Sequence, residues 1–261
     1  MTLNSISEFI AAIERMGELV RITQPMRTHL EIAEIADRTM KLPGGGPALL
    51  FERPILPDGR ESSVPVAINL YGSRTRMCLA LGVERLDDVG DRIAEMIQLK
   101  VPEGIMGKLS MLPKLAEMAK YPPRVRSGKP ACQEVVYRGD EIDLDALPIL
   151  QTWPQDGGRY LTLPMVITRD PKTGGRNVGM YRVQVQGKRE LAMHWQRHKS
   201  GAAHWREMAE RGETMPVVIA IGGDPASVYS GSAPLPPAID EFLFAGFLRR
   251  EPVELAKALT C

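Results

Sequence analysis

At Tyr121-Pro122-Pro123 the hydrophobic rhythm of the chain changes. Proline donates no backbone N–H and pushes the residue before it out of the α region, so a helix or a central strand does not run through this point. Before it, apolar residues recur at helical spacing between short strand-like runs; after it, short β-type runs alternate with turn signals. The chain therefore reads as two units: a mixed α/β domain over 1–122, and a β-rich domain over 123–261 entered through the basic stretch that ends at Lys129-Pro130. The fold class is α+β or α/β.

In the first unit Ile6, Phe9, Ile10 and Ile13 share one helix face behind the capping residues Asn4 and Ser5, with Gly17 as the stop. Residues 18–22 read as a strand. A second helix carries Leu30, Ile32, Ile35, Ala36 and Met40 up to Pro43-Gly44-Gly45-Gly46, followed by strands at Ala48–Phe51 and Val66–Leu70 and a helix over 75–81. Helices are expected at 86–98 and 106–120, the latter bent at Pro113, and Met96, Met106, Met111 and Met118 in them read as core filler. In the second unit the spacing predicts strands at Gln133–Tyr137, Leu161–Thr168, Gly179–Gln186 and Glu190–Trp195. Asp170-Pro171-Lys172-Thr173-Gly174-Gly175 and Gln186-Gly187-Lys188 are the hairpin turns. Helices at Gly201–Arg211 and Asp240–Leu248 flank a strand at Val217–Ile221, and Gly222-Gly223-Asp224-Pro225 reads as a sharp turn.

Charge and cysteine usage narrow the function classes. Thirty-three Lys and Arg against 32 Asp and Glu leave a net charge of +1 with no block of one sign, which gives nucleic-acid binding no support. Cys78, Cys132 and Cys261 are odd in number and far apart, which suits a reduced cytoplasm rather than a disulfide framework or a zinc site. No apolar run reaches the roughly 18 residues of a membrane span, and acidic residues interrupt the N-terminal apolar ones, unlike a secretory signal.

Three stretches carry the chemistry. In Arg176-Asn177-Val178-Gly179-Met180-Tyr181-Arg182, strand alternation puts Val178, Met180 and Arg182 on one face and Asn177, Gly179 and Tyr181 on the other. An arginine on an apolar face calls for a carboxylate or phosphate; the plain alternative is a solvated arginine at a sheet edge. His194-Trp195-Gln196-Arg197-His198-Lys199-Ser200, just ahead of a helix, suits a bound phosphate or is an ordinary polar loop. Asp240-Glu241 opens an otherwise apolar helix, where the acids either complement the helix dipole or one of them is held inside and needs a cation.

With these residues in view, the chain resembles the UbiD family of reversible non-oxidative decarboxylases. The likeness runs in order through Leu147-Pro148-Ile149-Leu150, Trp153-Pro154-Gln155-Asp156-Gly157-Gly158, Thr168-Arg169-Asp170-Pro171, Arg176 to Arg182 and Met193 to His198. It continues through Gly223-Asp224-Pro225, Ala233-Pro234-Leu235-Pro236 and Asp240-Glu241-Phe242. The resemblance implies that the second unit is a flavin-reductase-like split β-barrel, here incomplete, that binds prenylated FMN. By the same resemblance Asn177, His198 and Glu241 match the ligands of a divalent metal, Mn²⁺ or Mg²⁺, that bridges to the flavin phosphate. Arg182 matches the catalytic arginine that contacts the substrate carboxylate. Met180, Tyr181, Arg182, His194, Trp195, Gln196, Lys199 and Ser200 match positions lining the cofactor, and carbonyls near Ser232 and Ala233 match a K⁺ site.

The activity so implied is decarboxylation, or its reverse, of an aromatic or α,β-unsaturated carboxylic acid through an adduct with the prenylated flavin, in a cytoplasmic homo-oligomer, dimeric or hexameric when full-length. Family members are nearly twice as long. Their catalytic acidic pair and C-terminal α/β domain have no counterpart here, so these 261 residues alone are expected to be inactive. A flavin-dependent oxidoreductase, or a non-catalytic subunit of a decarboxylase complex, are the alternatives.

Overall fold

The computed structural model describes residues 3–97, 120–235 and 239–261. The expected helix at 106–120 with its bend at Pro113 lies outside the described residues, Lys120 apart, as do the side chains of Met96, Met106, Met111 and Met118.

Helix α1 (Ile6–Arg15) starts where Ser5 accepts a hydrogen bond from the Glu8 N–H, and it buries Phe9, Ala12 and Ile13. Strands β1 (Leu19–Ile22) and β2 (Met26–Arg27) follow, then helix α2 (Glu31–Met40) and strands β3 (Ala48–Phe51), β4 (Pro54–Ile55) and β5 (Val66–Ile68). The main sheet has the order β1-β3-β5, parallel at the first junction and antiparallel at the second, while β2 pairs with β4. All four β3 residues are buried. Strand alternation divides them: Ala48 and Leu50 pack with Phe9 and Ile13 of α1, and Leu49 and Phe51 pack with Ile32 and Ala36 of α2. A helix on each face explains why this strand reads as a continuous apolar run.

Helix α3 (Arg74–Leu81) is capped by Ser73 and ended by Gly82 in the left-handed region, and α4 (Asp87–Ile97) follows. Arg76 on α3 has no exposed surface. Its Nη1 meets Glu18 Oε2 at 2.5 Å, and the Ser73 hydroxyl donates to the same oxygen.

Past Pro123 come β6 (Arg124–Val125), β7 (Tyr160–Leu161), β8 (Met165–Arg169), β9 (Arg176–Met180), β10 (Val183–Val185) and β11 (Leu191–Met193). They are followed by helix α5 (Ser200–Glu210), β12 (Val218–Ala220), helices α6 (Pro225–Ser230) and α7 (Glu241–Arg249), and β13 (Glu254–Leu255). Two three-stranded sheets form, in the orders β12-β8-β9 and β11-β10-β7, and β13 pairs with β6. The β8–β9 hairpin closes as expected: Asp170 accepts from the Lys172 N–H at 2.8 Å and Gly174 takes φ +72. Leu81 and Val89 of the first unit share one buried cluster with Ala226, Phe244 and Leu248 of the second.

Three expectations change. Gln133–Tyr137 is not a strand; Ala131–Gln133 is a single 3₁₀ turn, and Val135 and Tyr137 are exposed. β-branched and aromatic residues favour a pleated surface only where a neighbouring strand takes up the backbone groups, and among the described residues no strand pairs with this segment. The run Leu161–Thr168 breaks ahead of Met165, at Pro164, which cannot donate to a ladder. The run Gly179–Gln186 breaks at Tyr181-Arg182 into β9 and β10. The sharp turn lies where expected, with Gly222 and Gly223 at φ +81 and +113, and leads into α6, which Asp224 caps by accepting from Ser227 N with Pro225 at its first position.

Candidate functional site

Strand β9 lies at the edge of its sheet, so every second N–H points away from β8. Two of these find partners outside the sheet. The Met180 N–H donates to the Gly231 carbonyl at 2.8 Å, and the Val178 N–H donates to Glu241 Oε2 at 2.9 Å. Glu241 reaches that position because α7 begins there. Asp240 caps the helix through the N–H groups of Phe242 and Leu243, and its other oxygen takes Arg176 Nη2 at 2.6 Å. The Arg176 guanidinium also lies 5.0 Å above the Phe242 ring. Arginine, cap and ring together clamp the start of α7 to the start of β9. The Glu241 carboxyl is half-buried and makes no salt bridge among the described residues. Burial pushes its pKa above the ordinary carboxylate value, with the Val178 N–H partly opposing. A half-buried carboxylate without a cation is a site that a metal ion would relieve.

Asn177 is one residue away. It is buried at 9% exposure, stands opposite Thr168 in the hairpin, and donates from Nδ2 to Thr168 Oγ1 at 3.3 Å. Thr168 Oγ1 in turn lies 3.0 Å from His204 Nδ1 on α5. Asn177 Oδ1 has no hydrogen-bond partner among the described residues. The alternation expected for β9 holds as far as Met180: Val178 and Met180 pack toward Phe242 and Val228, while Tyr181 joins the cluster with Val166 and Val183. A Cβ on Gly179 would come within 2.2 Å of the Tyr181 ring, so only glycine lets that ring fold back here. The Tyr181 hydroxyl accepts from Gly201 N, at the first turn of α5, and its ring meets Trp195 edge-on at 6.2 Å.

Glu241 is thus held on the backbone of Val178, the residue next to Asn177 in β9. His198 sits on the turn leading into α5, the helix packed on the same strand, and its ring is exposed without a hydrogen bond among the described residues. Arg182 departs from expectation. Because β9 stops at Met180, Arg182 leaves the apolar face of Val178 and Met180, stands exposed, and lies 4.6 Å over the Tyr160 ring. His194, Gln196, Lys199 and Ser200 are exposed, whereas Trp195 is half-buried with its indole N–H unpartnered. The Ala233 carbonyl is taken by Leu235 N at 2.8 Å, while the Ser232 hydroxyl donates to the Tyr229 carbonyl.

Among the described residues no group of three His, Cys, Asp or Glu side chains gathers as a metal site. Asn177 and Glu241 offer oxygen donors instead, which suit a hard or borderline divalent cation, and an imidazole on the nearby turn complements them. The chemistry of these donors fits such an ion. One of the two acids at Asp240-Glu241 was expected to need a cation, and Asp240 takes Arg176, whereas Tyr160, His204 and Arg176 carried no expectation of these contacts. Thr168 could have been found by counting back across the hairpin turn from Asn177, and the Arg176–Asp240 pair had no local signal.

Known proteins match throughout. The profile described as the 3-octaprenyl-4-hydroxybenzoate carboxy-lyase N-terminal domain matches residues 10–95, and the one described as the Rift-related domain of that enzyme matches 123–261. A protein of Aquifex aeolicus is 48% identical over 98% of this chain, and one of Archaeoglobus fulgidus is 44% identical over 100% of it. The chain spans about half of each, 51% and 52%. Among solved structures, the UbiD-class enzyme HmfF of Pelotomaculum thermopropionicum in complex with FMN superposes with a TM-score of 0.80 at 27% identity, over 98% of this chain and 51% of that one. Vanillic acid decarboxylase of Sedimentibacter hydroxybenzoicus shares the fold, with a TM-score of 0.82 at 23% identity over 100% of this chain and 52% of that one. Two profiles in register, one of them covering more than half of the sequence, place the chain in the UbiD carboxy-lyase family.

Proposed function

We propose that this chain is the metal- and flavin-binding portion of a prenylated-FMN-dependent carboxy-lyase acting on an aromatic or α,β-unsaturated carboxylic acid. The observation that carries it is Glu241: a half-buried carboxylate with no salt bridge among the described residues, held on the N–H of Val178, the residue that follows Asn177 in β9. Asn177, Glu241 and His198 hold a divalent ion, Mn²⁺ or Mg²⁺, whose remaining charge the flavin phosphate balances. That the solved HmfF structures contain FMN and prenylated FMN supports the cofactor.

Residues 123–261 then form the family's split β-barrel, and 1–122 a separate α/β domain packed on it. Lys199 and Ser200 at the start of α5 face the phosphate, where free N–H groups and the helix dipole add to the side chains. Met180, Tyr181, His194, Trp195 and Gln196 line the flavin, and K⁺ sits near the carbonyls of Ser232 and Ala233. When bound, the flavin supplies an electron sink for the pair released as CO₂ leaves. Arg182 orients the substrate: with Tyr160 beneath its planar face, the N–H edge of the guanidinium stays free for a carboxylate. No carboxylate in this chain matches the family's acidic pair, so protonation and turnover belong to the longer, oligomeric cytoplasmic protein.

The test is CO₂ release from cinnamic and hydroxybenzoic acids by the full-length chain reconstituted with prenylated FMN and Mn²⁺, without NAD(P)H. Arg182→Ala is expected to lower kcat/KM by ~100-fold or more, as loss of substrate positioning does. Flavin reduction that consumes NAD(P)H, with no CO₂ released, would point to an oxidoreductase instead.

A further inference from the structure

We propose that Thr168 and His204 are positioning residues that fix which way the Asn177 side-chain amide faces, an inference that rests on the metal site proposed above. An asparagine ligates a cation through Oδ1, and its two ends are nearly the same size, so something must keep Nδ2 turned away from the ion. The Thr168 hydroxyl cannot decide this by itself, because it both donates and accepts. His204 removes the ambiguity. With the proton on Nε2, its Nδ1 accepts the Thr168 hydroxyl hydrogen across the 3.0 Å contact. The Thr168 oxygen is then left only as an acceptor, Nδ2 of Asn177 must turn toward it, and Oδ1 faces the metal.

The setting favours a fixed relay. Thr168 is 1% exposed, Asn177 9%, and the two are held directly opposite in the β8–β9 register. His204 comes from α5, and the turn that leads into that helix carries His198, so one stretch of chain bears a proposed ligand and the residue that orients another. Partners of this kind that orient ligands are worth about 10- to 100-fold in metal affinity.

The experiment is Mn²⁺ titration followed by electron paramagnetic resonance on the full chain carrying FMN, with melting temperatures measured alongside. Thr168→Val is expected to weaken Mn²⁺ binding by about 10- to 100-fold. Thr168→Ser, which keeps the hydroxyl, is expected to bind like the wild type. His204→Leu is expected to weaken Mn²⁺ without lowering the melting temperature in proportion. In ¹⁵N spectra of the metal-free protein, Nδ1 of His204 should be the unprotonated nitrogen, and the Asn177 side-chain amide should shift in His204→Leu.

If Thr168→Val and His204→Leu bind Mn²⁺ as tightly as the wild type while Asn177→Ala and Glu241→Gln do not, the relay is wrong and the metal site stands. If wild type, Asn177→Ala and Glu241→Gln all titrate alike, the metal site is wrong and the relay falls with it. Should Thr168→Val fail to fold, His204→Leu and the His204 tautomer decide: a protonated Nδ1 with unchanged affinity overturns the proposal.

Discussion

Glu18 is the one anionic partner, among the described residues, of a guanidinium that has no exposed surface, and two further nitrogens of Arg76, Nε and Nη2, are buried without partners among those residues. Removing the acid leaves an uncompensated buried charge, so Glu18→Ala should cost about 3–5 kcal/mol in denaturant unfolding; a loss below 1 kcal/mol would mean that Arg76 relaxes into water. This pair was not legible in the sequence. The helix over 75–81 was, but a partner 58 residues away, just ahead of β1, leaves no periodic trace. His204 illustrates a second residue-scale effect. Burial holds its imidazole below the ordinary value, with the Asp170 carboxylate partly opposing. As pH falls, the unfolded chain takes up this proton first, so stability should decline through the imidazole range and level off below the folded-state value. His204→Gln should remove that slope from a series of melting curves taken between neutral and mildly acidic pH.

Among the elements, the start of α7 has the most to hold. Asp240 caps the helix and pairs with Arg176, and both contacts place Glu241. Asp240→Ala should lose about 1 kcal/mol from the cap alone. Asp240→Asn, which still caps, isolates the ion pair, and a weaker Mn²⁺ affinity in that variant would show that Arg176 helps to place Glu241. Elements with local signals were legible: α1 from its apolar spacing and Ser5, and the β8–β9 hairpin from Asp170 and the glycines after it. Gln133–Tyr137 misled because strand propensity says nothing about whether a partner strand is present. The break after Met180, which carries Arg182 off the apolar face and onto Tyr160, comes from tertiary contacts that alternation cannot anticipate.

At the scale of the molecule, Pro122-Pro123 divides the sequence more sharply than it divides the core. Phe244, 1% exposed, packs in one cluster with Leu81 and Val89 from before the prolines and with Ala226 and Leu248 from after them. Phe244→Ala should cost about 3–5 kcal/mol and lower the unfolding of both parts together in calorimetry; a shift in only one of two separate transitions would show that they fold independently. The proposed site follows the same logic, since its proposed donors come from a hairpin strand, the turn before α5 and the start of α7. The resemblance singled out those residues, but the packing of α5 and α7 against one edge strand left no trace in the sequence. The most direct test of the whole account is anomalous diffraction at the manganese edge from crystals of the full-length protein grown with Mn²⁺ and FMN. A single strong peak bounded by Asn177, His198 and Glu241 is the predicted result; a peak elsewhere, or none with FMN in place, would contradict it.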